Sequence, residues 1–176
     1  ILSSMSLHLC TPPWNKDSLS LVRASINPKL IYCAITGYGQ TGPKRNIVGH
    51  DLNYIGDTGL LSLSMGDVNN RNIPPGLLAD IGGGSYPAII NILLALRLRE
   101  RTNEGVFLDI AMTDGLFPFM YWAIGQGLTT SNWPGNRDSV FTGGSPRYQL
   151  YETSDHRVLA AAPLEQKFWE TFCVAI

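Results

Sequence analysis

Two short β-rich runs separated by one helix-length apolar segment constrain this chain more than any other feature. "LIYCAIT" (residues 30–36) follows Asn27-Pro28 and stops at "GYGQTGP", a loop punctuated by glycine and proline. "GVFLDIAM" (105–112) has the same strand character. Between them, "GLLADIGGGSYPAIINILLALRLRERT" (76–102) is too long for a strand, and its closing Arg97, Arg99 and Arg101 suit the negative end of a helix macrodipole. Strands alternating with helices predict an α/β class, a Rossmann-like and largely parallel sheet domain.

The flanking segments extend this pattern. "HDLNYIGDTGLLSL" predicts a helix from His50 to about Leu63, weakened by Gly56 and Gly59. "TDGLFPFMYWAIGQG" predicts an apolar helix entered through Thr113 or Asp114, with Pro118 tolerated near its first turn. Beyond a loop rich in turn formers, "RYQLYET" and "RVLAAAP" flank the tight turn "SDH", the pattern of a hairpin, and a last helix is expected over about 164–175. Residues 1–145 are therefore expected to form part of a large domain that is incomplete here. Residues 146–176 are expected to be a linker hairpin and the start of a smaller α+β domain.

Composition narrows the function classes. With 44% hydrophobic and 15% charged residues, the chain has enough apolar surface to fold. A formal charge of -1 without a Lys/Arg cluster argues against nucleic acid as a partner. Cys10, Cys33 and Cys173 are odd in number and far apart, so neither a metal site nor a disulfide framework is expected, and a reducing setting fits. In the 76–102 segment the apolar run Ala88–Leu96 is interrupted by Asn91 and closed by Arg97, which predicts no membrane span. "ILSSMSLHLC" lacks the basic flank and cleavage site of a signal peptide and reads as an unnatural start.

Asp80 leads the candidates for chemistry. A carboxylate at a helix N-terminus faces unpaired N–H groups, which favours its ionised form; from position alone, capping is the commoner explanation, and the glycines that follow shift that balance. Gly82, Gly83 and Gly84 forfeit roughly 1 kcal/mol each relative to alanine, which suggests that either a neighbouring strand or a substrate carbonyl comes close to the backbone. His50, between a glycine-rich loop and a helix, is a candidate proton shuttle. Asp51 is its possible orienting partner, and Tyr54, one turn on, could add a hydroxyl. Glu165 begins the last helix, where a carboxylate is ordinary dipole chemistry. His156 reads as a solvated turn residue, and His8 has little to recommend it. Neither "GGSYP" nor "GGSPR" is a GxSxG nucleophile elbow, which argues against a serine hydrolase.

"LIYCAITGYGQTGP", "GHDLNY", "LLADIGGG", "LRLRERTNEG", "GGSPRYQLYETSD" and "APLEQKFW" resemble, in order and at compatible spacing, the family III CoA-transferase superfamily over roughly residues 26–172. His50 in "GHD" is similar to the branch that racemises 2-methylacyl-CoA thioesters. The resemblance implies an acyl-CoA substrate, no metal or other cofactor, and an interlocked homodimer. It implies Asp80 and His50 as the catalytic acid/base pair and Glu165 as an acidic residue near them. Gly37, Tyr38, Gly39 and Gln40 would border the thioester, and Asp51 and Tyr54 would face the substrate. Gly82 and Gly83 would stabilise the enolate through their N–H groups. Two alternatives remain open: a CoA-transferase, in which Asp80 forms an acyl anhydride, and a non-catalytic fragment or relative. The segment "LHLCTPPWNK" lacks the arginine common in relatives, which bears on CoA affinity. The expected compartment is cytoplasmic in a bacterium, and mitochondrial or peroxisomal in a eukaryote.

Overall fold

A computed structural model describes residues 25–176. His8, Cys10 and the "LHLCTPPWNK" segment lie outside the described residues. The described residues divide into two compact units, one formed by residues 25–58 and 77–118 and the other by 59–76 and 119–176. The boundary expected at residue 145 falls within the second.

In the first unit, strand β1 (Tyr32–Thr36) pairs in parallel with β2 (Phe107–Ala111), in a register running from Tyr32 opposite Phe107 to Thr36 opposite Ala111. Tyr32 and Phe107 stack at 5.6 Å between ring centroids, the kind of cross-strand pair that fixes register. The α/β class and the parallel pairing are as the sequence implies. The connection is helical. Helix α1 (Asp51–Asp57) is shorter than expected: Gly59 takes a left-handed φ of 85°, and residues Leu60–Leu63 tighten into a separate 3₁₀ turn.

The long segment holds a second departure. Leu78–Ser85 is π-helical, and only from Tyr86 does it become an ordinary α-helix, α2 (Tyr86–Thr102). Asn103 closes α2 in the left-handed conformation, its N–H donating to the Arg99 carbonyl at 2.8 Å. Because the two parts are continuous, the run Leu78–Thr102 spans 25 residues and is long and apolar enough to cross a membrane, which the interrupted stretch Ala88–Leu96 had concealed. In this fold it packs along β1 and β2, with Ala88 and Ala95 buried.

The core of this unit is small. Ile55 is 1% exposed and Leu116 is fully buried, each contributing roughly 1.5–3 kcal/mol of apolar burial.

The second unit contains helix α3 (Tyr121–Thr130), preceded by a 3₁₀ stretch through Pro118, and a hairpin of β3 (Gln149–Glu152) and β4 (Val158–Ala161). Its last helix is α4 (Gln166–Ala175). Trp122, Phe141 and Tyr148 form an edge-to-face chain at 5.2 and 5.5 Å. Arg147 ties the hairpin to α4: its guanidinium donates to Gln166 Oε1 at 2.6 Å and to the Leu164 carbonyl at 3.2 Å, and lies 5.3 Å from the Trp169 ring centre.

Candidate active site

The site is assembled at the carboxyl ends of the two parallel strands, where open α/β sheets offer ligands a crevice. The loop after β1 is anchored there by the segment that follows β2. Met112 N–H donates to the Thr36 carbonyl at 2.8 Å, while the N–H and hydroxyl of Thr113 both reach the Gly37 carbonyl, at 3.1 and 2.9 Å. Gly39 N–H donates to Thr36 Oγ1 at 2.9 Å, and Gln40 N–H to both Asp109 carboxylate oxygens at 3.0 and 3.2 Å. Asp109, Met112 and Thr113 are site-building residues that the sequence reading missed. A charged residue inside the apolar run "FLDIA" was the available signal.

Tyr38 is held at the outer edge of this loop. Its hydroxyl donates to Asp57 Oδ2 at 2.7 Å, and Lys44 Nζ bonds the same oxygen at 2.7 Å. The bond to Asp57 is the main reason the Tyr38 phenol is pushed up to about 12, followed by burial and the charge of Asp57. The Asp57 carboxyl is held below its ordinary value by the bonds from Lys44 and Tyr38.

Helix α1 supplies three of the expected residues, in three different settings. His50, the N-cap, is exposed and has extended backbone; its N–H donates to Asn53 Oδ1 at 3.0 Å, and its carbonyl accepts from Asn53 and Tyr54. Tyr54 is only 3% exposed, and its ring fills the space that a side chain at Gly37 would need. Its hydroxyl donates to the Gly49 carbonyl at 2.6 Å, which commits its proton and leaves its oxygen able to accept. Burial, and then the charge of Asp80, push this phenol upward, against the Gly49 bond. Asp51, 6% exposed, accepts the N–H groups of Ala79 at 2.6 Å and Asp80 at 3.1 Å through Oδ2.

These bonds correct the view of Asp80 as a helix cap. The N-cap of the π-helical segment is Leu77, which has no capping side chain, and Asp80 lies inside the first turn. The first free N–H groups are satisfied by Asp51, from 28 and 29 residues upstream. The Ala79 and Asp80 N–H groups are therefore committed to Asp51 and are not free to receive the Asp80 carboxylate. Burial raises its carboxyl above the ordinary value, the charge of Asp51 raises it further, and His50 opposes both.

The glycines after Asp80 have a packing reason. A side-chain carbon at Gly83 would collide with the Met112 carbonyl oxygen, and one at Gly84 would meet Met112 Cγ at 3.0 Å. Within a π-helical segment an N–H group bonds the carbonyl five residues back, a pattern that pairs Gly83 with Leu78, whereas the Leu77 carbonyl that would serve Gly82 accepts from Ile81 at 3.1 Å. Of the two readings the sequence left open, close backbone approach accounts for Gly83, and Gly82 remains half-exposed.

His50, Asp51, Tyr54, Asp80, Gly82, Gly83 and the Gly37–Gln40 loop thus all belong to the first unit. Glu165 belongs to the second, as the exposed N-cap of α4, where its carbonyl accepts from Phe168 and Trp169 at 3.0 Å each. Among the described residues no group of three or more His, Cys, Asp and Glu is arranged to hold a metal ion.

A carboxyl raised above its ordinary value and acted on by the charge of a histidine, at the carboxyl end of a parallel sheet, is the kind of site found in α/β enzymes that move protons or acyl groups. Residues 21–176 match the family model of CoA-transferase family III, and the chain belongs to that family. It is similar to the α-methylacyl-CoA racemase of Mus musculus, 36% identical over 147 residues covering 81% of this chain and 38% of the relative. The racemase of the same name from Homo sapiens is 34% identical over 145 residues, covering 82% of this chain and 38% of the relative. The succinate–glutarate CoA-transferase of Agrobacterium fabrum is 40% identical over 90 residues, covering 51% of this chain and 22% of the relative. The crystal structure of a CAIB/BAIF family protein from Brucella suis superimposes with a TM-score of 0.67 at 29% identity, covering 84% of this chain and 37% of that one. The chain spans about 38% of the length of the racemases it matches.

Proposed function

We propose that this chain carries the acid/base centre of an acyl-CoA racemase, in which His50 and Asp80 exchange the α-proton of a 2-methylacyl thioester from opposite faces. The observation that supports this reading is the junction at Asp51: one carboxylate bonds the turn that bears Asp80 and is the chain neighbour of His50, whose charge acts on Asp80.

The chemistry follows from that pair. The thioester carbonyl acidifies the neighbouring C–H, and removal of the proton leaves an enolate. Asp80 takes the proton in one direction and His50 returns it on the other face; the roles reverse for the other epimer. A carboxyl raised above its ordinary value suits a group that must serve as both base and acid near neutrality. The enolate oxygen needs donors; of the two glycines first expected in that role, Gly83 is buried against the Met112 carbonyl and Gly82 stays a candidate. The Asp51 and Leu52 N–H groups at the head of α1 carry no hydrogen bond among the described residues and are the better candidates. The reaction calls for no metal or redox group. An interlocked homodimer, as the family resemblance implies, belongs to the same proposal.

The family name and the Agrobacterium fabrum relative favour a second reading, CoA transfer, in which Asp80 attacks the thioester carbonyl to give an anhydride and free CoA. Deuterium wash-in at the α-carbon of 2-methylacyl-CoA in D₂O separates the two. Wash-in without an acceptor acid is expected for the racemase; CoA exchange that requires an acceptor acid, with no wash-in, would replace it by the transferase.

A further inference from the structure

The sequence resemblance puts Asp51 among substrate-facing residues, and its geometry argues for something else. The side chain is buried, and its Oδ2 is taken up by two backbone N–H groups of a distant segment. The 2.6 Å contact to Ala79 is at the short end even for a charge-assisted bond. The receiving end is equally constrained. Ala79 is fully buried, Ile81 N–H donates to the Leu77 carbonyl at 3.1 Å, and the Ser85 hydroxyl donates to the Asp80 carbonyl at 2.9 Å. Gly83 and Gly84 pack the same segment onto Met112. Asp80 therefore sits on a turn bonded at its head by Asp51 and packed at its tail against the residue after β2.

We propose that Asp51 is a positioning residue: its buried carboxylate grips the Ala79 and Asp80 N–H groups and so fixes the direction in which the Asp80 side chain leaves the backbone. The proposal deepens the acid/base reading, because it rests on Asp80 as the reacting carboxyl. It has a second consequence through charge. The groups acting on the Asp80 carboxyl are Asp51 and His50 at the head of α1, and Tyr54 one turn on is acted on by Asp80 in return. Of the other elements packed against the turn, β1 carries Tyr32 and Cys33, β2 carries Asp109, which bonds Gln40, and α2 begins with Tyr86; none of these bears on Asp80. Asp51 and His50 thus pull the Asp80 proton in opposite senses, and losing Asp51 leaves burial alone to oppose His50.

The test uses the whole chain, with Asp80 labelled at its carboxyl carbon. In the unmodified protein, hydrogen exchange at the Ala79 and Asp80 amides is expected to be slowed at least tenfold relative to the Asp51 and Leu52 amides; equal exchange rates would overturn the proposal without any variant. In Asp51→Asn, protection at Ala79 and Asp80 is expected to fall several-fold, and the Asp80 carbon is expected to titrate at lower pH. Where α-proton exchange is measurable, kcat is expected to fall about 10- to 100-fold with KM within twofold, and Asp51→Glu is expected to restore the Asp80 titration toward that of the parent but not kcat. A raised KM with unchanged kcat would make Asp51 a substrate contact, and unchanged amide protection and Asp80 titration would make the two bonds incidental; either result overturns the proposal. If the parent protein shows no α-proton exchange, the racemase reading fails, while the amide and carboxyl measurements still decide the role of Asp51.

Discussion

Asp80 and Glu165 are both acidic residues at the start of a helical segment, one in each unit, and the macrodipole rule treats them alike. Their surroundings do not. Asp80 lies in a turn whose N–H groups are already bonded by Asp51, is partly buried, and feels one like charge and one imidazole. Glu165 is an exposed N-cap whose side chain makes no capping bond. Helix position alone therefore says little about reactivity. What distinguishes the two is whether another residue has already satisfied the helix end, leaving the carboxyl to be governed by burial and its neighbours.

The sharpest way to break this contrast is Asp80→Asn. The amide has nearly the same shape and cannot exchange a proton, so α-proton wash-in is expected to fall by about 10³-fold, within the range for loss of a general acid/base. Stability should move the other way. Because the folded carboxyl is raised above its ordinary value of 3.8, the native state keeps a proton that the unfolded state has lost. Over the interval from that value up to the raised one, this group makes the parent protein less stable as pH rises. Asp80→Asn abolishes that contribution, so above the interval the variant is expected to melt no lower than the parent. A clear loss of melting temperature at neutral pH would show that the ionised carboxylate is held by favourable contacts, contrary to the contrast drawn here.

His50→Ala tests the partner and should have the next largest effect. Wash-in is expected to fall about 10²-fold, and more for one epimer than for the other, because each group faces one side of the reacting carbon. Since the charge of His50 favours the ionised form of Asp80, its loss should shift the Asp80 titration upward, opposite to Asp51→Asn. Carboxyl-carbon NMR on the two variants checks both signs. Shifts in the same direction would contradict the opposed pull of these neighbours.

Local pattern made much of this fold legible, and tertiary bonds hid the rest. The β1–β2 pair, the hairpin and the last helix follow from alternation, turn residues and apolar periodicity, and those signals lie within a few residues of one another. His50 and Asp80 stand out because few residue types move protons near neutral pH. That Asp51 would end buried, as the anion of another segment's helix start, had no local signal, because its partners lie 28 and 29 residues away. The π-helical turn was equally hidden: three glycines weaken a helix in the same way whether they admit a substrate or the Met112 carbonyl. Tyr54 shows the opposite limit. Its spacing from His50 was read correctly as one helical turn, but the destination of its hydroxyl, the Gly49 carbonyl, depends on how the loop closes over it.

Glu165→Gln carries the smallest expected effect and sharpens the comparison from its other side. As an exposed N-cap it contributes mainly through its charge near the N-terminus of α4, worth about 0.5 kcal/mol at such a surface position. The expected result is a melting shift of about 1–2 °C, shrinking with added salt because the interaction is screened. Wash-in is expected to change less than threefold, since nothing in the second unit buries the carboxyl or gives it a hydrogen-bond partner. The family resemblance gives Glu165 a place near the reacting groups, and the same assay weighs that role. A loss approaching that of Asp80→Asn, with the melting temperature unchanged, would move Glu165 into the catalytic set and show that its exposed position in this fold is not the one it takes when substrate is turned over.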